Sequence, residues 1–145
     1  MRHSSRWFLA TTVAALLAGT VASSQSTSSI TFQSPAQGWN VFASPNPLPF
    51  GSTAAIHFNT DRLTQCRGNI NGTTPGWTIT GYYQFNGGPV QSFWVAGFSS
   101  TPNPPAPSIP LNTRGDLAVW FENTSRWGCQ AWDSNFGSNY HFTVQ

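Results

Sequence analysis

Residues 127–145 read WGCQAWDSNFGSNYHFTVQ, and this stretch decides how the chain is expected to fold. Its middle part, 133–139, is rich in Asp, Ser, Asn and Gly. These residues form turns, because Asx side chains hydrogen-bond their own backbone and Gly accepts a positive φ. From Tyr140 to Val144 polar and apolar residues alternate, which is the period of a half-buried strand. The stretch therefore predicts a strand, an ordered loop and a second strand, with Trp132 where the first strand ends.

Further strand patterns precede this hairpin. The strongest is 115–122, in which Leu117, Val119 and Phe121 are expected to face inward. The sequence Asn-Gly-Gly at 86–88 is a hairpin signal between two other strands. Besides 115–122 and the final hairpin, the predicted strands are 30–33, 38–43, 53–59, 77–85 and 90–98.

The segments between these strands are expected to be irregular. Proline occurs repeatedly in 44–49 and 99–110, and each proline removes a donor from a β-ladder. The segment 60–76 has no sustained period and is expected to be a long loop, and 123–125 is expected to be a turn. About eight strands at this spacing predict an all-β fold, an antiparallel immunoglobulin-like β-sandwich with one disulfide.

The N-terminal segment, 1–22, has the three parts of an export signal. Arg2 and Arg6 form a basic region, an uncharged apolar run follows, and Thr-Val-Ala at 20–22 matches a cleavage site. The apolar run is shorter than the roughly 20 residues that a membrane-spanning helix needs, which argues against a membrane anchor. The sequence therefore predicts a secreted, extracellular protein with a signal peptide cleaved near Ala22.

The rest of the chain is long enough for one domain and too short for two. We expect residues 23–29 to be a flexible leader and residues 30–145 to form the domain. Cys66 and Cys129 are the only cysteines, and an even pair in an exported protein predicts a disulfide. A zinc site is a poor alternative, because two cysteines without a nearby His pair provide too few ligands.

The charge of the mature chain is close to zero. The remaining cations are Arg62, Arg67, Arg114 and Arg126, and the anions are Asp61, Asp116, Glu122 and Asp133. Nucleic acids and anionic membranes are bound by clustered Lys and Arg, so neither is an expected partner. A near-neutral domain indicates an uncharged ligand, and we expect the protein to be a monomer.

The C-terminal loop resembles a known motif. The pattern W-D-x-N-x-G-x-N-Y is similar to the C-terminal motif of starch-binding β-sandwich modules, carbohydrate-binding families 21 and 25. It is matched here by Trp132, Asp133, Asn135, Gly137, Asn139 and Tyr140. Ser134 and Phe136 depart from the pattern, because those modules usually carry Asn there. The longer run 115–129 also resembles an uncharacterised family of small secreted bacterial proteins.

The resemblance implies that Trp132 stacks on a sugar and that Asn135 and Asn139 bind its hydroxyl groups. This agrees with the chemistry of a pyranose, whose apolar face packs on an aromatic ring and whose hydroxyls need polar partners. We include Asp133 in this set. Three more aromatic residues on strand faces opposite the core are expected to extend the site, unless they are core residues themselves. They are Trp120, Trp94 and Tyr82.

Catalysis has weaker support in the sequence. Glu122 and Asp133 could be brought together by the last hairpin as a glycosidase-like pair. The favoured alternative is that Asp133 caps a turn and Glu122 is a solvated strand end. His57 and His141 belong to no recognisable catalytic triad, so we expect a protein without enzymatic activity.

The sequence also contains weak signals for metal binding and glycosylation. Asp133, Asn135 and Asn139 could offer oxygen atoms to Ca²⁺, but a turn stabilised by its own hydrogen bonds is favoured. We expect no metal and no cofactor. Asn71 and Asn123 match the N-glycosylation pattern, which is relevant only in a eukaryotic source.

Two functions remain after these exclusions. The preferred one is a secreted, non-catalytic protein that binds a neutral polysaccharide, an α-glucan by resemblance. The alternative is a secreted structural or cell-surface interaction protein in which the C-terminal loop only closes the sandwich. An exposed Trp132 favours the first function, and a buried Trp132 favours the second.

Overall fold

The computed structural model describes residues 27–98 and 104–145. The predicted all-β fold is confirmed: the described residues form strands, with two single-turn 3₁₀ helices at Pro35–Gln37 and Thr60–Arg62. The strands are β1 (Thr27–Phe32), β2 (Val41–Ser44), β3 (Thr53–Phe58), β4 (Asn69–Ile70), β5 (Thr74–Pro75), β6 (Trp77–Phe85), β7 (Gln91–Gly97), β8 (Ser108–Pro110), β9 (Gly115–Ser125), β10 (Gln130–Asp133) and β11 (Tyr140–Val144).

The N-terminal predictions fall mostly outside the described residues. The predicted signal peptide, 1–22, and residues 23–26 of the predicted flexible leader lie there. The end of that leader, 27–29, is part of strand β1 and is not flexible chain. In the described part of the chain, no helix is long and apolar enough to cross a membrane.

The strands form two main sheets. Sheet I has the order β2-β1-β3-β8, and sheet II has the order β10-β9-β6-β7, with β11 also paired to β9. All pairs in the two sheets are antiparallel except β1 and β3, which run parallel. The remaining strands, β4 and β5, form a small separate hairpin.

The two sheets share one hydrophobic core. Phe32 of sheet I packs edge-on against Phe121 of sheet II, with ring centroids 4.7 Å apart. In β9, Leu117, Val119 and Phe121 are fully buried, as their alternation predicted. The other buried apolar side chains include Ile30, Ile56, Ile79, Ile109, Leu111 and Val144.

The outer side of sheet II is partly covered as well. Ala118 and Glu122 alternate with the core residues of β9, yet both are buried. The expectation that Glu122 is a solvated strand end is therefore wrong. The reason is that bulky side chains on neighbouring strands lie over this face and exclude water from its centre.

Strand β9 also extends further than predicted. It continues to Ser125, so the turn expected at 123–125 is wrong. The Asn123 side chain is fully buried, and its amide donates to the Gln65 carbonyl at 2.6 Å. This tertiary bond outweighs the turn preference of the local sequence, and its burial removes Asn123 as a glycosylation site.

The disulfide is confirmed. Cys66 and Cys129 are bonded, and their Cα atoms lie 5.3 Å apart. The bond attaches the long segment after β3 to the connection between β9 and β10. A loop of this length gives about 4 kcal/mol of stabilisation by the chain-entropy estimate.

Candidate functional site

Aromatic residues lie on the outer face of sheet II, away from the core. Trp132 is 50% exposed and lies opposite Glu122 on the neighbouring strand. Glu122 lies opposite Thr80, and Thr80 lies opposite Trp94. These four residues form one row across β10, β9, β6 and β7, because side chains directly opposite each other share a face.

The position of Trp94 depends on a β-bulge. The pairing of β6 with β7 changes register between Ile79 and Thr80, which leaves Val95 as an extra residue. Bulges re-aim side chains, and here Val95 is buried while Trp94 is exposed. Trp94 therefore belongs to the outer face, as predicted.

The next row of the same face contains two further rings, and they lie close to Trp132. Tyr82 lies opposite Trp120, and their rings are stacked with centroids 5.8 Å apart and planes 17° apart. The centroids of Tyr82 and Trp132 are 6.2 Å apart. We call Tyr82, Trp94, Trp120 and Trp132 the aromatic face.

A buried carboxylate lies within this face. Glu122 is only 6% exposed, and its Oε2 accepts a 2.6 Å hydrogen bond from the Tyr82 hydroxyl. Its Oε1 accepts a hydrogen bond from the Gln130 amide. The bond to Glu122, together with burial and the negative charge, raises the pKa of Tyr82 to about 12. None of the ion pairs among the described residues includes Glu122, so neutral donors satisfy this charge.

Asp133 is turned to the other side of the sheet. It lies opposite Phe121, a core residue, and its Oδ2 is 2.6 Å from Nε of Arg62. Its Oδ1 accepts a hydrogen bond from the Tyr140 hydroxyl. The expectation that Asp133 caps a turn is wrong. Because both oxygens are engaged inside the protein, Asp133 is not available to a sugar or a Ca²⁺ ion.

Tyr140 completes this buried network. Burial, the bond to Asp133 and the charge of Asp133 raise the pKa of the Tyr140 hydroxyl to about 12, and Arg62 opposes the change. The same hydroxyl accepts a 2.8 Å hydrogen bond from Arg62. The motif residues Asp133 and Tyr140 therefore belong to the scaffold under the loop.

The register also separates the two carboxylates considered for hydrolysis. Glu122 faces outward with Trp132, whereas Asp133 follows Trp132 and faces inward. Successive side chains of a strand point to opposite faces. The two carboxyl groups therefore cannot flank one glycosidic bond, which retaining and inverting glycosidases both require.

The loop 134–139 is a compact turn. The Asn139 N–H donates to the Ser134 carbonyl at 2.7 Å, and the Asn135 amide donates to the Asn139 carbonyl at 3.2 Å. Asn135, Phe136 and Asn139 all have positive φ. Asn135 is exposed and Asn139 is half-buried, and neither lies within the cross-strand rows of the aromatic face.

A groove of about 770 Å³ lies on the other side of Trp132. Sequence reasoning missed this groove, because its walls come from distant segments. The lining residues are Trp39, Arg62, Leu63, Gln65, Trp132, Asp133, Ser134, Asn135, Phe136, Gly137 and Tyr140. The sequence contains only two weak indications of the groove. Trp39 directly follows a glycine, and Phe136 stands where the resembled motif has Asn.

The two histidines in the described part of the chain and the remaining carboxylates form no larger cluster. His141 Nδ1 lies 2.9 Å from Asp116, and this bond raises the pKa of the imidazole, while slight burial opposes it. Within residues 27–98 and 104–145, no group of three or more His, Cys, Asp or Glu residues is placed to hold a metal ion.

A family model matches residues 30–145, and its description is a family of unknown function, DUF6209. No curated protein and no solved structure matches the chain. The match covers both sheets, the aromatic face and the groove.

Proposed function

Since the chain belongs to DUF6209, a family of unknown function, we propose its role from the site itself: it is a non-catalytic protein that binds a neutral polysaccharide on the aromatic face. The observation that carries this proposal is the set of neighbouring rings on one sheet face, Tyr82, Trp120 and Trp132. Trp132 is exposed and Tyr82 and Trp120 are half-buried beside it, and a patch of exposed apolar side chains on a folded protein marks an interaction site when it is large.

The shape of the face suits an extended ligand. Trp132 and Trp94 lie at the two ends of a row that crosses four strands. At roughly 4.8 Å per strand the row spans about 14 Å, with Tyr82 and Trp120 beside its middle. A sugar chain that lies across the strands contacts several rings at once, whereas a single sugar contacts only one or two.

The polar groups of the face suit hydroxyl ligands. Glu122 and Gln130 lie beside Trp132, and their side chains hydrogen-bond each other. Both oxygens of the buried Glu122 are engaged by Tyr82 and Gln130, so the group open to a ligand is the exposed amide of Gln130. This amide keeps one N–H donor and its carbonyl oxygen for sugar hydroxyls. The carboxylate of Glu122 beside it disfavours an anionic sugar by charge repulsion.

The finer parts of the proposal rest on the resemblance of the C-terminal motif. The match of residues 132–140 to starch-binding modules favours an α-glucan. The disulfide and the N-terminal sequence favour secretion, because disulfides persist in oxidising compartments. We propose a monomer that binds weakly at each sugar, since an open face buries little of its ligand.

The proposal is tested by retention of the purified protein on insoluble starch, cellulose, chitin and xylan. We expect wild-type protein to be retained on one of these polymers and Trp132→Ala to be released. Trp127→Ala is the matched control, because Trp127 is an exposed indole that packs over Gly68 and Gly76 away from this face. Equal retention of all three proteins on every polymer would favour the structural or interaction role instead.

A further inference from the structure

We propose that the groove beside Trp132 is a second sugar-binding subsite, which continues the aromatic face around the edge strand β10. It holds the same neutral chain between the rings of Trp39 and Phe136. This inference rests on the proposed function, and it assigns residues that the motif of the C-terminal loop does not include.

The first support is the presentation of the two rings. Phe136 is fully exposed, at 106%, and Trp39 is 50% exposed. Their φ angles are +58° and +62°, a conformation that is rare for bulky side chains and unfavourable by roughly 1–2 kcal/mol. Strained, exposed residues that meet at one concavity are typical of ligand sites.

The fold fixes the turn that carries Phe136 and the position of the Trp39 ring. Gly137 N–H and Ser138 N–H donate to the carbonyls of Ser134 and Asn135, which fixes the turn that carries Phe136. On the opposite wall, Arg62 donates to the Trp39 carbonyl at 3.1 Å, and its guanidinium lies 4.9 Å from the Trp39 ring centroid. Little order is lost when a ligand enters a site that is already formed.

The charge of the groove selects a neutral ligand. The floor contains Arg62 and Asp133, and the two side chains neutralise each other at 2.6 Å. Arg62 is buried and also donates to the Gln33 carbonyl at 2.7 Å. Because Arg62 and Asp133 neutralise each other, this pair offers no free charge to an anion or a cation in the groove.

The rim supplies partners for hydroxyl groups. Gln65 and Asn135 are exposed and line the groove. Asn135 donates one amide N–H to the Asn139 carbonyl, and a carboxamide still has a second donor and acceptor capacity for a ligand. A site with aromatic rings and carboxamides suits a sugar, which has apolar faces and hydroxyl groups. It suits an acyl chain less well, because an acyl chain needs an apolar environment on all sides.

The groove and the aromatic face share one residue. Trp132 lies 6.2 Å from Tyr82 on the face and also lines the groove. Strand β10 ends the order of sheet II on this side, so a sugar chain that leaves the face at Trp132 passes directly into the groove. Because the groove adjoins the aromatic face, its ligand is the next part of the sugar chain that is bound on that face.

The test uses the purified protein and depletion binding to insoluble starch, then to cellulose, chitin and xylan. We expect Phe136→Gly and Trp39→Ala each to weaken binding by about tenfold, the effect of losing one stacked ring. Phe136→Gly removes no packing in the folded protein and suits a positive φ, so its thermal midpoint should not fall below that of wild type. Phe50→Ser is the control, because Phe50 is an exposed ring that lines neither the groove nor the aromatic face.

The outcomes separate the two proposals. If Trp120→Ala weakens binding while Phe136→Gly and Trp39→Ala bind as wild type does, the groove is not a subsite and the proposed function stands. If wild-type protein binds none of the polymers, both proposals fail. Sedimentation of wild-type protein, but not Phe136→Gly, with phosphatidylcholine vesicles would also overturn the inference, because the ring would then insert into lipid.

Discussion

Arg62 and Asp133 are 71 residues apart in sequence, yet their side chains form a buried ion pair with Nε and Oδ2 2.6 Å apart. The pair joins the 3₁₀ helix after β3 to the end of β10. It therefore fixes the start of the C-terminal loop, and the position of Trp132 next to it, from inside the protein.

We expect this ion pair to be sensitive to the loss of either partner. Asp133→Asn or Arg62→Leu leaves one charge buried without its partner, which destabilises by about 3–5 kcal/mol. Urea unfolding measures this change. The double variant Arg62→Leu/Asp133→Asn should lose less than the sum of the two single losses. If each single variant loses less than about 1 kcal/mol of unfolding free energy, which is the range of exposed salt bridges, the buried ion pair is contradicted.

The hydrogen bond between Tyr82 and Glu122 predicts an alkaline titration. The pKa of Tyr82 is raised to about 12, first by this bond and then by burial. A raised pKa means that the folded state favours the neutral phenol. The resulting stabilisation is fully present below pH 10, the ordinary pKa of tyrosine, and is lost as the pH rises through about 12. Because Tyr82 is only half-buried, solvent screens the interaction and the effect on stability is small.

The measurement is the tyrosinate absorbance of wild-type protein and Glu122→Gln as the pH is raised. Removal of the charge should shift the titration of one tyrosine toward pH 10. Tyr140, whose pKa is also raised to about 12, should titrate unchanged in both proteins. Superimposable titration curves would contradict the role of Glu122.

The strained turn predicts a stabilising substitution. Asn tolerates the left-handed conformation that Phe136 adopts at φ +58°. Phe136→Asn should therefore raise the free energy of unfolding by about 0.5–1 kcal/mol. Phe136→Ala is the matched control, since it removes the same ring and keeps the strain. If Phe136→Asn and Phe136→Ala have the same thermal midpoint, the turn does not store strain.

The disulfide should be a major source of stability. Replacement of Cys66 and Cys129 by Ser frees a long loop in the unfolded chain, which should lower the free energy of unfolding by about 4 kcal/mol. Guanidinium unfolding of the variant, and of wild type with and without a reductant, measures this change. Reduced wild type should resemble the variant. An unchanged midpoint in both cases would show that the bond is not needed once the sandwich has formed.

The alternation of apolar and polar residues along the sequence predicted most of the main strands. Strand β6 has the bounds 77–85 that its alternation predicts. Strand β3 is one residue shorter than predicted at its C-terminal end, and β7 is one residue shorter at each end. These strands are amphipathic, so their own side chains report which face is buried. The parallel pairing of β1 with β3 has no such local signal, because it depends on the path of β2 to the edge of the sheet.

The candidate site was only partly visible in the sequence. Alternation placed Tyr82 and Trp120 on strand faces opposite the core, the motif resemblance selected Trp132, and the structure brings the three rings together. The inward turn of Asp133 depends on Arg62, a partner far away in the sequence. A pattern of turn formers cannot show such a partner, because the ion pair exists only after the two sheets pack.

The sequence does not predict the groove either, because residues that are distant in sequence form it. Trp39 and Phe136 come from turns that are nearly a hundred residues apart, and the concavity between them exists only in the folded chain. Their positive φ values are unexpected for aromatic residues. The two strained rings meet at one place only after the chain has folded.

The aromatic face itself is tested most directly by the binding isotherm of Trp120→Ala, measured by depletion on the polymer that retains wild-type protein. Trp120 stacks on Tyr82 and does not line the groove, so this variant isolates the face. We predict about tenfold weaker binding, with Trp127→Ala unchanged and all three proteins folded by thermal melting. Wild-type affinity in folded Trp120→Ala would contradict the assignment of the ligand to this face.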